Sequence, residues 1–189
     1  MMASISMIDC HFIMFFNNPP HFTQAELDFD LPAEDRGIDI SDEVAWQEWA
    51  LNERKYQRPP SLSQLLKELL SDHWTGSEEP RFENLNIFTL FIVISAFHRI
   101  IYGIRYCILD TSNARRQIDR ALLRWMRLWE NLQPRLSQDE IYRAGFMTHA
   151  QDLWVFAKFL LRQPLSETGG IARDSMTDIH RLLKGPLNE

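Results

Sequence analysis

Cysteine is scarce in this 189-residue chain, which has only Cys10 and Cys107. Two thiols cannot build a disulfide scaffold or a six-cysteine zinc cluster, and such low usage fits a reducing compartment. Basic residues are nearly missing from the first part. Residues 1–54 hold 11 acids and two bases, a net charge of −9, whereas residues 55–189 hold 15 acids and 18 bases, a net of +3. A duplex-binding surface usually carries a marked positive excess that displaces phosphate counterions, and a whole-chain charge of −6 disfavours direct DNA binding. The seven glycines form no phosphate-cradling loop, and there is no His-Glu-x-x-His pattern. No Ser-His-Asp or Cys-His pairing can be assembled from spacing, so an enzyme would have to hide its chemistry. The opening MMASISMIDCHFIMFF lacks a basic flank and is interrupted by Asp9, against a signal peptide. The strongest apolar run, Ile87 to Phe97, is 11 residues long before His98-Arg99, too short to span a bilayer and apt for a buried helix.

Apolar residues, in contrast, make up 45% of the chain and aromatics 12%, which places it with globular rather than disordered sequences. No strand-period segment and no fixed repeat occurs. The spacing predicts helices throughout. One covers Ile8 to Phe16 and must stop before Pro19-Pro20, since proline fixes φ and disfavours a helical residue before it. Thr23 and Glu26 form a capping box over a short turn that Pro32 ends. A helix over 41–57 is capped by Ser41 and carries Val44, Trp46, Trp49 and Ala50. Leu62, Leu65, Leu66, Leu69 and Leu70 fit the amphipathic template, and residues 72–82 read as a loop.

Beyond that loop a long helix is expected from about Asn84 to Leu109. A second, from Thr111 to Leu132, has Ile118, Ala121, Leu122, Trp125, Trp129 and Leu132 in one stripe. Ser137 and Glu140 make a further capping box, opening a helix to about Arg162. A loop over 163–173 and a last helix over Asp174 to Leu183 complete the pattern. The fold class is therefore all-α, an irregular multi-helix bundle.

The segment FFNNPPHFTQAELDFDLP, with the residues around it, resembles the fungal-specific transcription factor domain. Met7, Ile8 and Asp9 on a helix running into Pro19-Pro20 are similar to that family's apolar helix with an aspartate before paired prolines. Leu31-Pro32 followed by Trp46 is similar to its Leu-Pro and downstream tryptophan, and Phe88 to His98 to its long apolar helix. The resemblance covers Ser4 to His98 best. It departs at Asn17-Asn18, where many members carry Gly-Arg, and the helices expected before this segment are absent.

The resemblance implies that residues 1–189 are one helical regulatory domain or its C-terminal portion, non-enzymatic and nuclear. It implies modulation of RNA polymerase II transcription through partner or effector contacts. No cofactor is implied in this chain; zinc belongs to a DNA-binding module upstream in full-length relatives. The runner-up is a stand-alone helical interaction module or a truncated competitor. Protein partners or self-association are expected, a small-molecule effector is allowed, and no membrane is called for. If preceding helices are missing, the faces carrying Phe12, Phe15 and Phe16, and part of the Ile87 to Phe97 helix, should lack cover.

Four residue sets invite a functional reading. Cys10, His11 and His21 contain metal-ligating types, but their spacing matches no zinc motif. His149 shares a predicted stripe with Tyr142, Phe146, Leu153 and Leu160, where a lone histidine is more often a hydrogen-bonded core residue than a catalyst. The tryptophans Trp46, Trp49, Trp74, Trp125, Trp129 and Trp154 could line an effector pocket or simply build the core. Arg116, Arg120, Arg124 and Arg127 lie on the face opposite the apolar stripe. A solvated face is the default; the alternative is contact with an acidic protein segment, making these the partner-binding residues, with the −9 first part of this same chain as one candidate and nucleic acid last. Replacing Arg116, Arg120 and Arg124 with Gln is then expected to weaken binding while changing stability by less than about 1 kcal/mol.

Overall fold

A computed structural model describes residues 2–23, 26–31, 60–74, 76, 82 and 85–163. The helices expected over 41–57 and 174–183, with Trp46 and Trp49, lie outside these. The described elements are α1 (Met2–Phe16), α2 (Leu62–Leu70), α3 (Ile87–Arg105), α4 (Ser112–Leu132), α5 (Gln138–Ala144) and α6 (Ala150–Arg162), with 3-10 turns at Gln133–Arg135 and Gly145–His149. No named strand occurs among the described residues, so the fold is all-α; one isolated bridge joins Asp30 to Ser61.

α3 is apolar almost all round and buries 14 of its 19 residues. By length and composition it could cross a bilayer, yet 72% of the qualifying window is buried inside the protein. α1, α4 and α6 pack around it, with α2 resting mainly on α4. The core runs from Leu62, Leu65, Leu66 and Leu69 of α2 through α3 to Ile118, Leu122 and Trp125 of α4 and Leu160 and Leu161 of α6. Side-chain donors tie the helices together. The Trp125 indole donates to the Leu90 carbonyl at 2.9 Å, the Trp154 indole to Leu122 at 2.7 Å, and the His98 Nε2–H to Leu153 at 2.9 Å.

Local chemistry sets the boundaries. α1 ends where Asn17 takes φ 53°, a left-handed conformation that asparagine tolerates better than most residues. Both capping boxes expected from sequence form: the Thr23 amide donates to Glu26 at 2.7 Å, and the Ser137 amide to Glu140 at 2.8 Å. α2 has a third, between Ser61 and Gln64, and the Asp28 carboxylate accepts from the Ser63 amide at 3.2 Å at the same positive helix end.

Three boundaries differ from expectation. α1 begins at Met2 rather than Ile8. α3 spans 87–105 rather than 84–109, because the Asn86 side chain caps it at the Thr89 amide and residues 106–111 are needed to turn into α4. The single helix expected from Ser137 to Arg162 is broken. Gly145 takes φ 54°, outside the right-handed helical region, so α5 stops and a 3-10 turn redirects the chain into α6. The break removes the predicted His149 stripe: Tyr142 and Phe146 are exposed, and His149 pairs at the surface with Asp152 at 3.1 Å.

One polar cluster sits inside the α1–α3 contact. Arg99 Nη2 donates to the Asp9 carboxylate at 2.9 Å, with both side chains almost fully buried. The other Asp9 oxygen accepts from the His21 amide at 2.9 Å and from its ring Nδ1–H at 3.0 Å, which anchors the segment following Pro19-Pro20. Burial alone would raise the Asp9 carboxyl, but the His21 hydrogen bonds and the Arg99 charge outweigh it and hold the group below the usual carboxylate range. Asp9→Leu strands a buried guanidinium and should cost about 3–5 kcal/mol in urea unfolding, whereas Asp9→Leu combined with Arg99→Met should recover most of that loss. Additive single costs would mean that the two charges are not coupled.

Candidate functional site

The N-terminal half of α4 and the end of α6 flank an open groove of about 920 Å³. Its charged lining is Arg115, Arg116, Arg120 and Arg162 against Asp72 and Asp119, an excess of two positive charges. Some of these charges are already engaged. Arg115 Nη1 donates to the Leu161 carbonyl at 2.7 Å, which closes the last turn of α6. Arg120 pairs with Asp72, and Lys158 with Asp119. Arg116 and Arg162 form no ion pair within contact distance among the described residues, although, behind the Ser112 hydrogen bonds, the Arg116 charge helps to hold the Asp110 carboxyl down.

The four arginines singled out from sequence divide into different roles. Arg116 and Arg120 line the groove, and Arg127 is exposed farther along α4. Arg124 instead turns to α2, where Nη1 donates to the Leu69 carbonyl at 2.7 Å and to the Ser71 carbonyl. Its guanidinium also lies 5.3 Å from the centre of the Trp74 ring. Arg124 therefore does not project free into solvent with the rest of the face: the last carbonyls of a helix have no partners of their own, and this side chain provides them. The signal that sequence reasoning missed, Arg115 and Arg162, consists of arginines off the chosen stripe that only packing of α6 on α4 brings alongside.

The other candidates resolve into structural roles. The Cys10 thiol donates to the Ser95 carbonyl at 3.1 Å, and burial pushes it up to about 12, partly offset by Arg99, so it is a poor nucleophile. The His11 ring bonds the Met7 carbonyl at 2.8 Å, while His21 serves Asp9. Among the described residues no group of three His, Cys, Asp or Glu side chains is placed to hold a metal ion. Trp125 and Trp129 stack at 5.6 Å inside the core and Trp74 packs on Phe82 at 5.0 Å, so the described tryptophans build the interior. The groove lining contains no histidine, cysteine, serine or threonine, and arginine is its commonest residue.

No family model, curated protein or solved structure matches the chain.

Among the described residues His98, and not His149, is the buried imidazole. Its Nε2–H faces the Leu153 carbonyl, and its Nδ1 has no partner. Burial pushes it down to about 4, against a smaller upward effect of the Leu153 hydrogen bond. From pH 6.5 down to about 4 the unfolded chain takes up a proton that the folded chain refuses, so stability should fall by about 3 kcal/mol across that window. Asp9, with its depressed carboxyl, adds a further loss as pH falls through its folded value. Urea titrations at a series of pH values should show this limb, and His98→Gln should flatten it.

Arg124→Gln should cost about 1–3 kcal/mol by stranding carbonyls of α2, while Arg116→Gln should stay within about 0.5 kcal/mol. Equal effects in thermal unfolding would return Arg124 to the solvated face.

Proposed function

We propose that this chain is the non-enzymatic regulatory domain, or part of one, of a fungal transcription factor acting in the nucleus. Sequence-specific DNA contact belongs to a separate zinc module. The groove between α4 and α6 engages an acidic segment of a partner protein, and that contact modulates transcription by RNA polymerase II. The transcription reading is supported by the run from the α1 aspartate through Pro19-Pro20 and Leu31-Pro32 to the apolar α3.

The observation that carries the binding reading is the groove itself, which has surplus arginine charge. Protein is favoured over nucleic acid by the chain's net charge of −6, which opposes a continuous phosphate chain, whereas a short peptide needs only a few carboxylates placed at the groove's arginines. Guanidinium pairs with carboxylates in two-pronged geometry, which suits such a contact. Contact with an acidic partner biases the domain between active and inactive arrangements.

The test has two arms. Joined to an unrelated DNA-binding domain, the chain should change reporter transcription several-fold, and Arg116→Glu with Arg162→Glu should abolish the change. In solution, a synthetic Asp/Glu-rich peptide should bind with salt-dependent affinity, weakened at least tenfold, about 1.4 kcal/mol, by the same pair. An unchanged reporter with intact peptide binding would leave a stand-alone interaction module. Peptide binding that ignores both substitutions would remove the groove from the account.

A further inference from the structure

α1 is built inside out. Its inward face carries Ser6, Asp9 and Cys10 beside Ile13 and Met14, while Ile8, Phe12, Phe15 and Phe16 point away from the core. These four are 60%, 42%, 58% and 67% exposed. Their offsets of 0, 4, 7 and 8 put them on one stripe of the helix. Neighbouring rings extend the patch. The Phe12 ring lies 5.8 Å from Phe16 and 6.1 Å from His21, and His11 bridges Phe15 at 5.6 Å and Phe146 at 6.5 Å. Phe22, which follows His21, is 39% exposed and Phe146 58%. The remainder of the expected uncovered surface is closed, for residues 87–97 of α3 are buried apart from a half-buried Phe88 and Asn86 at its cap.

A helix face this apolar is ordinarily enclosed, and α1 is enclosed only on its opposite side. We infer that the outward face of α1 is a self-association surface, on which the same face of a second copy of this chain packs about a two-fold axis. Three observations select that occupant. First, with aromatic side chains burying about 150–250 Å² each, the exposed portions of Ile8 and the five phenylalanines sum to roughly 600 Å² per copy. Two copies therefore bury about 1,200 Å², the lower end for a specific interface, and the roughly 600 Å² on each copy is at the upper end of what a lone monomer leaves open.

Second, residues 2–16 contain no lysine or arginine, and the one charge, Asp9, faces inward. An interface centre depleted of charge and rich in phenylalanine matches another like itself, and an isologous pairing makes each ring meet its own kind. Third, helices that lie on membrane surfaces rely on a cationic flank, which α1 does not have. The inference stands apart from the arginine groove, which is formed by α4 and α6 and shares no residue with this face.

Sedimentation equilibrium of the full chain tests it. The parent should dimerise with a dissociation constant of about 10 μM or tighter. Phe12→Ser with Phe15→Ser should weaken association at least tenfold while circular dichroism and the urea midpoint stay close to the parent, since both rings are largely outside the core. Phe16→Cys should form a disulfide-linked dimer under mild oxidation, which reads the same surface without removing its neighbours. A parent that stays monomeric at about 100 μM would overturn the proposal. So would a dimer indifferent to both serine substitutions, or a monomer that instead binds neutral lipid vesicles.

Discussion

A helix that is apolar on every side must be surrounded, and α3 imposes that requirement on the rest of the chain. α1, α4 and α6 each supply a wall, and each wall is also tied to its neighbour by a polar contact. Trp125 reaches α3 at Leu90, His98 reaches α6 at Leu153, and Asp9 meets Arg99 across the α1 contact. The last contact has the largest energetic consequence. A slide of α1 by one turn would leave both charges buried without partners, a penalty of several kcal/mol. Arg99 Nε and Nη1 already lack partners among the described residues, which makes its single carboxylate contact the more important.

Three groups able to do chemistry are engaged in this scaffold. Cys10 is buried with its thiol raised, His98 is held neutral, and His21 secures the segment after the paired prolines. Two surfaces among the described residues stand apart from it. The outward face of α1 is apolar and uncharged, and the α4–α6 groove is open and cationic; they suit different partners by charge alone. An acidic segment has nothing to gain from the first, and a phenylalanine face has nothing to gain from the second.

Most helices could be read from sequence because their signals are local. The α2 leucines, the α4 stripe and the Thr23–Glu26 and Ser137–Glu140 boxes depend only on residues three to eight apart. Asp9 and Arg99 are 90 residues apart, and no period or composition rule pairs them. The Arg124 role was equally hidden. Helical angles place it with Arg116 and Arg120, but they do not say that α2 ends beside it. Gly145 was visible as a residue, yet the apolar spacing on either side of it reads through the break. The groove combined both cases: Arg116 and Arg120 follow from one helix, while Arg115 and Arg162 need two helices in contact.

That the functional surface is the α4–α6 groove is the central claim, and hydrogen exchange read by mass spectrometry addresses it most directly. The full chain is followed with and without an Asp/Glu-rich peptide at saturating concentration. Slowed exchange confined to residues 71–73, 112–120 and 158–163 is the result the account predicts, since those amides border the groove. Protection centred on residues 2–16, or none anywhere while the peptide is bound, would contradict it.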